Sequence, residues 1–313
     1  TEFEVKTIED LFAKKQAQAV EAEKAKEAKW ETQAAGGQWS EEEAAHMKAV
    51  VCSSCGAEIV CDENTMATEC CYCGNPTMMP AKFTGMLKPD FVIPFKKTKE
   101  EAVAALKEFY KGKTLLPKAF TANNRVEDIQ PMYVPFWLFD AAVKADASFR
   151  AESDNIIDTP DETITETSVY RCDRSGHMHF SKIPVDGSTK MDDTYMESIE
   201  PFDYSELVPF SAAYFTGYLA DKYDVDAEAS EPRAEKRIEA SAIGVLQDTV
   251  TGYSRCHVED HVVQKEGNKV VYAMAPVWIL TTRYEGKPYT FMMNGQTGKM
   301  VGSLPYDNMK SFL

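Results

Sequence analysis

Two copies of the pattern Cys-x-x-Cys-Gly restrict this chain more than any other feature: Cys52-Ser53-Ser54-Cys55-Gly56 and Cys70-Cys71-Tyr72-Cys73-Gly74. Fourteen residues separate the two pairs, close to the spacing of four-cysteine zinc sites. Each Cys-x-x-Cys turn aims two sulfurs at one point. The glycine that follows takes a positive φ, which lets backbone N–H groups face the thiolates. Two such knuckles enclose a tetrahedron. The sequence therefore predicts zinc held by Cys52, Cys55, Cys70 and Cys73 with no coordination position left open, so the metal is structural and not catalytic. Its task is to fold a hairpin too short to fold alone. Disulfides or a redox pair are the competing reading, and the doubled spacing without a secretory context favours metal. Cys61 and Cys71 are expected to be spare thiols, one on the strand between the knuckles and one inside the second knuckle.

Charge narrows the classes of partner. Zinc with four thiolates carries −2, Glu58, Asp62, Glu63 and Glu69 add four more negative charges, and no Lys or Arg occurs between Lys48 and Lys82. A nucleic-acid-binding ribbon needs clustered bases, so protein contact or packing is the better use of this surface. Over 313 residues, 34 Lys and Arg face 50 Asp and Glu, a net charge of −16. Most of that excess sits between Glu152 and Glu231, with 19 acids against five bases. A phosphate backbone is repelled there. The stretch reads as a solvated acidic face or a docking surface for a basic partner.

The length allows two domains and a buried core without crosslinks. The apolar stretches Tyr133–Phe139 and Ala273–Leu280 fall far below the ~18 residues of a bilayer-spanning helix. Thr1-Glu2-Phe3-Glu4 lacks the basic and apolar regions of a secretory signal. A first residue other than Met suggests a processed chain or a fragment.

Residues Ile8 to Gln33 are rich in Ala, Glu, Lys and Gln and predict an N-terminal helix without a broad apolar face, ended by Ala35-Gly36-Gly37. Beyond the cysteines two stretches echo each other. Val92-Ile93-Pro94-Phe95 resembles Leu207-Val208-Pro209-Phe210, and the Pro-x-Trp of Tyr133–Leu138 resembles that of Met274–Leu280. Thr98-Lys99-Glu100-Glu101 is a capping box, with Val103, Leu106 and Tyr110 at helical spacing and Gly112 as a C-terminal cap. In the second copy Ile238, Ala242, Val245, Leu246 and Val250 recur at helical spacing, with Pro232 expected in the first turn. Tyr284-Glu285-Gly286-Lys287 and Asn294-Gly295 mark turns between strands. The expected fold is α+β: an N-terminal helix in 1–48, a zinc ribbon in 49–82, and two related α+β modules with antiparallel strands in 83–203 and 204–313, with pairing between them.

Other chemistry is thin. His177-Met178-His179 would place two imidazoles on one side of a strand, and Cys256-His257 with His261 forms a second loose group, but neither identifies a third ligand. Lys111-Gly112-Lys113-Thr114 lacks the first glycine of a phosphate loop, since Lys107 stands there. Asn294-Gly295-Gln296-Thr297-Gly298-Lys299 could cradle an anion but reads first as a turn. No nucleophile, base or catalytic pair stands out, so no enzymatic activity is expected.

Several longer strings carry a resemblance: Cys-Ser-Ser-Cys-Gly-Ala-Glu-Ile-Val at Cys52–Val60, Cys-Tyr-Cys-Gly-Asn-Pro at Cys71–Pro76, Gly85–Phe95, Tyr133–Asp140, Met-Glu-Ser-Ile-Glu-Pro-Phe-Asp at Met196–Asp203 and Met-Asn-Gly-Gln-Thr-Gly-Lys at Met293–Lys299. Along nearly its whole length the chain resembles a family of bacterial TFIIB-type zinc-ribbon proteins often labelled primosomal protein N′-like or helicase-related. The resemblance implies a membrane-anchored protein with a further zinc ribbon before this part and apolar helices after it. Some members are encoded beside flotillin-like SPFH proteins and phage-shock-like proteins, which implies an envelope-associated assembly. On this reading the chain is the cytoplasmic part of a scaffold at the inner face of the membrane, with protein partners such as SPFH-like proteins. Nucleic-acid binding through the ribbon, as the helicase-related label suggests, is the alternative.

Overall fold

The computed structural model describes residues 13, 30–67, 69–113, 116, 117, 120 and 126–305, the side chains of 266–268 excepted. The chain is a mixed α+β protein, mostly sheet. In order, helix α1 (Glu41–Ala45) precedes β1 (Met47–Cys52), β2 (Glu58–Asp62), β3 (Met78–Ala81) and β4 (Phe91–Val92). Helix α2 (Lys99–Tyr110) leads to β5 (Gln130–Asp158) and β6 (Thr163–Asp186), then α3 (Asp193–Ile199), β7 (Val208–Pro209) and β8 (Leu219–Asp221). Helix α4 (Ala227–Asp248) is followed by β9 (Arg255–Tyr284), β10 (Lys287–Asn294) and β11 (Met300–Gly302). The strands bond in the order β11-β10-β9-β5-β8-β2-β1-β3, with β4 bonded to β7 and β9, and β6 to β5. Among the described residues no helix is long and apolar enough to cross a membrane. Of the expected helix Ile8–Gln33, residues 8–12 and 14–29 lie outside the described residues, and from Thr32 to Ala34 the chain forms a 3-10 turn.

Contacts divide the chain into two compact units, each drawn from separated stretches. Among the described residues, one, the ribbon unit, holds those of Ala34–Trp137, Asp186–Ser230 and 271–305; the other, the hairpin unit, holds those of 30–33, Leu138–Val185 and Glu231–Val270. The division cuts across the four consecutive segments read from the sequence because β5 and β9, 29 and 30 residues long, each run through both units.

In the ribbon unit, α2 forms as its capping box requires. Thr98 Oγ1 accepts the Glu101 N–H and Glu101 Oε2 accepts the Thr98 N–H at 2.8 Å, satisfying two N-terminal donors. Its buried face, Ala102, Val103 and Leu106, packs with Trp278, Leu280, Phe291 and Met293. The echoing segments meet: β4 pairs antiparallel with β7 through Phe91↔Pro209 and Val92↔Val208.

A second set of bonds is matched one for one. The Gly187 N–H donates to Pro135 O at 2.9 Å, and the Gly295 N–H donates to Pro276 O at 2.8 Å. Gly187 O accepts the N–H groups of Asp224 and Val225, while Gly295 O accepts those of Lys96 and Lys97. The Trp137 indole donates to Val225 O at 2.9 Å, and the Trp278 indole donates to Lys97 O at 2.9 Å. Val225 and Lys97 each stand two residues before a helix, so each tryptophan latches the approach to the helix that follows the other copy's short strand.

In the hairpin unit the inward residues of β5, Val143, Ala145, Ala147, Phe149 and Ala151, are buried in strict alternation. Helix α4 lies against β6 and β9: Arg237 donates to Pro184 O, Gln247 to Cys256 O, and Glu239 meets His261 at 2.6 Å. Two expectations about this helix need correction. It starts at Ala227, capped by Asp226, which places Pro232 in the second turn, and Val245 is 46 % exposed where the spacing put it in the core. Lys182 sits at φ 59° in β6, held by the Asp140 carboxylate, which accepts its N–H at 2.6 Å and its ammonium at 3.2 Å.

Candidate metal centre

Strand β1 delivers Cys52 to the first knuckle and β2 leaves it, in an antiparallel pair running from Met47↔Asp62 to Val51↔Glu58. β3 pairs with the other edge of β1, so that Cys52 stands opposite Met78 beyond the second knuckle. The two knuckles have the same backbone. The Gly56 N–H donates to Cys52 O at 2.9 Å and the Gly74 N–H to Cys70 O at 2.8 Å; Cys52 N–H and Cys70 N–H donate to Ala57 O and Asn75 O. Gly56 and Gly74 adopt φ of 70° and 64°, values that disfavour a side chain.

The ligand atoms of Cys52, Cys55, Cys70 and Cys73 all lie within 4.8 Å of one another. The Cys52–Cys73 and Cys55–Cys70 sulfur pairs are 3.6 Å apart. Four sulfurs around zinc at about 2.3 Å would be separated by about 3.8 Å, so the donor set fits a tetrathiolate metal ion. When bound, the metal would supply cross-linking of two loops and no open position for substrate. Cys52 and Cys70 are buried around Ala57, with Tyr72 and Met78 packed on them. Burial raises the Cys52 thiol, but the backbone N–H groups of Cys55 and Ser54 outweigh it and bring the group down to about 7. Burial raises the thiols of Cys55 and Cys70. A cation at the centre would reverse that cost by keeping all four as thiolates.

Two cations reach the knuckles from far along the chain. Lys190 Nζ donates to Cys55 O at 3.3 Å and the Arg283 guanidinium to Cys73 O at 3.0 Å. Together they answer the charge of −2 that zinc and four thiolates would carry. Sequence reading missed both, since it searched for bases only between Lys48 and Lys82. The ribbon is also joined to the sheet: β2 pairs antiparallel with β8 through Ile59↔Asp221 and Val60↔Ala220, and Lys222 pairs with Glu58 at 3.0 Å. Cys61 lies on β2 and donates to Thr65 O, and Cys71 is buried against Met132 Sδ, so both sit outside the sulfur cluster.

Behind the second knuckle Asp221 is buried. Burial pushes its carboxyl up to about 7, partly opposed by the hydroxyls of Ser188 and Tyr72 beside it. Its Oδ2 has no hydrogen-bond partner, in keeping with a neutral acid.

The glycine-rich turn at 294–299 spends its polar groups internally. Asn294, fully buried, accepts the N–H groups of Gln296 and Thr297 and donates to Ile199 O at 2.9 Å. Gln296 accepts from Asp203 N–H at 2.8 Å, and Lys299 Nζ donates to Glu200 O at 2.7 Å. The turn is a clamp on Ile199–Asp203, and two of the strings that carry the family resemblance prove to be partners of each other. His177 and His179 are exposed on one face of β6, as alternation requires, and His261 is engaged by Glu239. Among the described residues the four cysteines are the one cluster of three or more metal-ligating side chains.

No protein-family model matches the chain, and no solved structure matches it. A stretch of 231 residues is 36% identical to Bacillus subtilis (strain 168) YdjG, described as an uncharacterized protein, and covers 73% of this chain and 67% of YdjG. On that identity and coverage, the chain belongs to the family of YdjG.

Proposed function

We propose that this chain is a non-enzymatic scaffold or adaptor of the TFIIB-type zinc-ribbon kind, built on a structural zinc ribbon and two related α+β modules. In the full-length protein it would be the cytoplasmic part of an envelope-related complex at the inner face of the membrane, with SPFH-like or other envelope proteins as partners. One observation carries the reading: the four thiol groups converge on one point with every donor supplied by the protein, which suits a metal that builds structure and not one that reacts. The matched bonds of the Gly187 and Gly295 turns support two related modules.

Elemental analysis of the purified protein should give about one zinc per chain. Affinity capture of the full-length protein from its own cells should return membrane and envelope proteins. Recovery of nucleic-acid enzymes without membrane proteins, together with salt-dependent DNA binding by the isolated chain, would overturn the scaffold reading in favour of nucleic-acid binding.

A further inference from the structure

The hairpin unit carries an arm formed by the end of β5 and the start of β6. Thr159-Pro160-Asp161-Glu162 closes it: the Thr159 N–H donates to Glu162 O at 2.9 Å, and the Thr163 hydroxyl donates to Asp158 Oδ1 at 2.8 Å. Side-chain bonds between Ser148 and Asp173 and between Thr167 and Asp154 fix the register, which sets Ile157 opposite Ile164. From Asn155 to Arg171 every residue is exposed. Ile156, Ile157, Ile164, Val169 and Tyr170 are 44–63 % exposed, an apolar load that a finished strand pair does not leave in water.

The backbone of the arm is also unfinished. Among the described residues β6 bonds to β5 alone. Its counterpart in the second copy, β10, follows the other Pro-x-Trp strand and has its outer edge covered by β11 through Phe291↔Gly302, Met292↔Val301 and Met293↔Met300. Because Thr159 and Glu162 are a bonded pair, alternation turns the N–H groups of Thr163, Thr165, Thr167 and Val169 away from β5. Such a row of free donors and acceptors is a template for another strand.

Charge selects what can lie there. Between Ala151 and Tyr170 there are six acids and no base. Glu152 and Asp154 are met by Arg255 at 2.8 and 2.6 Å, leaving Asp158, Asp161, Glu162 and Glu166 to face outward. A second copy of the same edge would set these acids against each other.

We propose that the β6 edge from Thr163 to Val169 is a docking site for an extended segment of a partner protein, one that alternates Lys or Arg with apolar side chains and adds to the sheet as a strand. The inference rests on the scaffold reading and names the chemistry of its partner.

The test places a photo-crosslinking residue at the exposed Ile164 of the full-length protein in its own cells and maps what it joins. The expected product is a partner segment of net positive charge with alternating apolar residues. Two variants accompany it: Thr165→Pro, which removes an outward N–H while leaving the β5–β6 ladder, and the reversal Asp158→Lys with Glu166→Lys. Each should lower the crosslink yield at least about tenfold, and the exposed positions leave the core untouched. Unchanged yield in both variants, a crosslink joining two copies of this chain, or an acidic or helical partner segment would each overturn the proposal. If envelope proteins are still captured in those cases, the scaffold reading stands while the arm's assignment falls.

Discussion

The turns Asp186–Lys190 and Asn294–Lys299 use their backbones alike and their side chains differently. Both put a glycine between a Pro-x-Trp strand and the approach to a helix, and both send a lysine ammonium to a backbone carbonyl, Lys190 to Cys55 and Lys299 to Glu200. The second turn holds a segment of its own neighbourhood with the side-chain amides of Asn294 and Gln296, which carry no charge of their own at any pH. The first reaches the ribbon and has a buried acid, Asp221, beside its Ser188. One backbone device therefore serves as a fixed clamp in one place and as the dock of the four-cysteine ribbon in the other.

The largest effect should come from the dock's cargo. Cys73→Ser, or chelation, should release the metal and unfold β1–β3, removing an interaction worth about 10 kcal/mol in small zinc domains. Hydrogen exchange should report lost protection across 47–81 while amides of the 294–299 clamp stay protected. Equal loss in both places would erase the distinction.

Next is the buried acid. Asp221 is raised in the fold to about 7 from an ordinary value of 3.8, so its contribution is complete below the unfolded value and is lost as pH rises through about 7. With metal saturated, wild-type stability should fall between pH 4 and 7 by up to about 4 kcal/mol, and Asp221→Asn should flatten that slope. Denaturant midpoints at pH 5 and pH 8 measure it; the same slope in the variant would remove Asp221 from the account.

A methyl group separates the turns by sterics. A Cβ on Gly295 would lie 2.7 Å from the Phe95 ring and 2.9 Å from Pro276 Cβ, whereas one on Gly187 would meet Trp137 Nε1 at 3.1 Å. Gly295→Ala should cost about 2–3 kcal/mol and Gly187→Ala about 1, read as a difference in denaturation midpoint. The smallest effect belongs to the distant cations. Lys190→Met and Arg283→Met should each speed metal loss to a chelator by about tenfold, while Lys299→Met, the matched lysine of the clamp, leaves the rate unchanged.

What could be read from the sequence was local. The knuckles declare themselves because ligands, glycines and turn bonds lie within five residues, and α2 because its capping box and buried spacing are contiguous. Lys190 and Arg283 were invisible because they meet their carbonyls from 135 and 210 residues away. Pro232 was misplaced because the cap that starts α4, Asp226, lies upstream of the apolar pattern. One signal was there to be read: Asp-Gly-Ser-Thr-Lys at Asp186–Lys190 echoes Asn-Gly-Gln-Thr-Gly-Lys at Asn294–Lys299, and following it would have matched the two turns, though not where their lysines go.

The crossed indole bonds set a timetable for a chain emerging from the ribosome. Cys52 to Cys73 can close around metal as soon as that short stretch is free, whereas Trp137 must wait for Val225 and the carbonyl of Lys97 must wait for Trp278. Until then, greasy strands stand without their latches. Separations of that size slow folding, so a nascent chain cut before Trp278 would keep its metal knot and leave the sheet behind it open to chaperones and proteases.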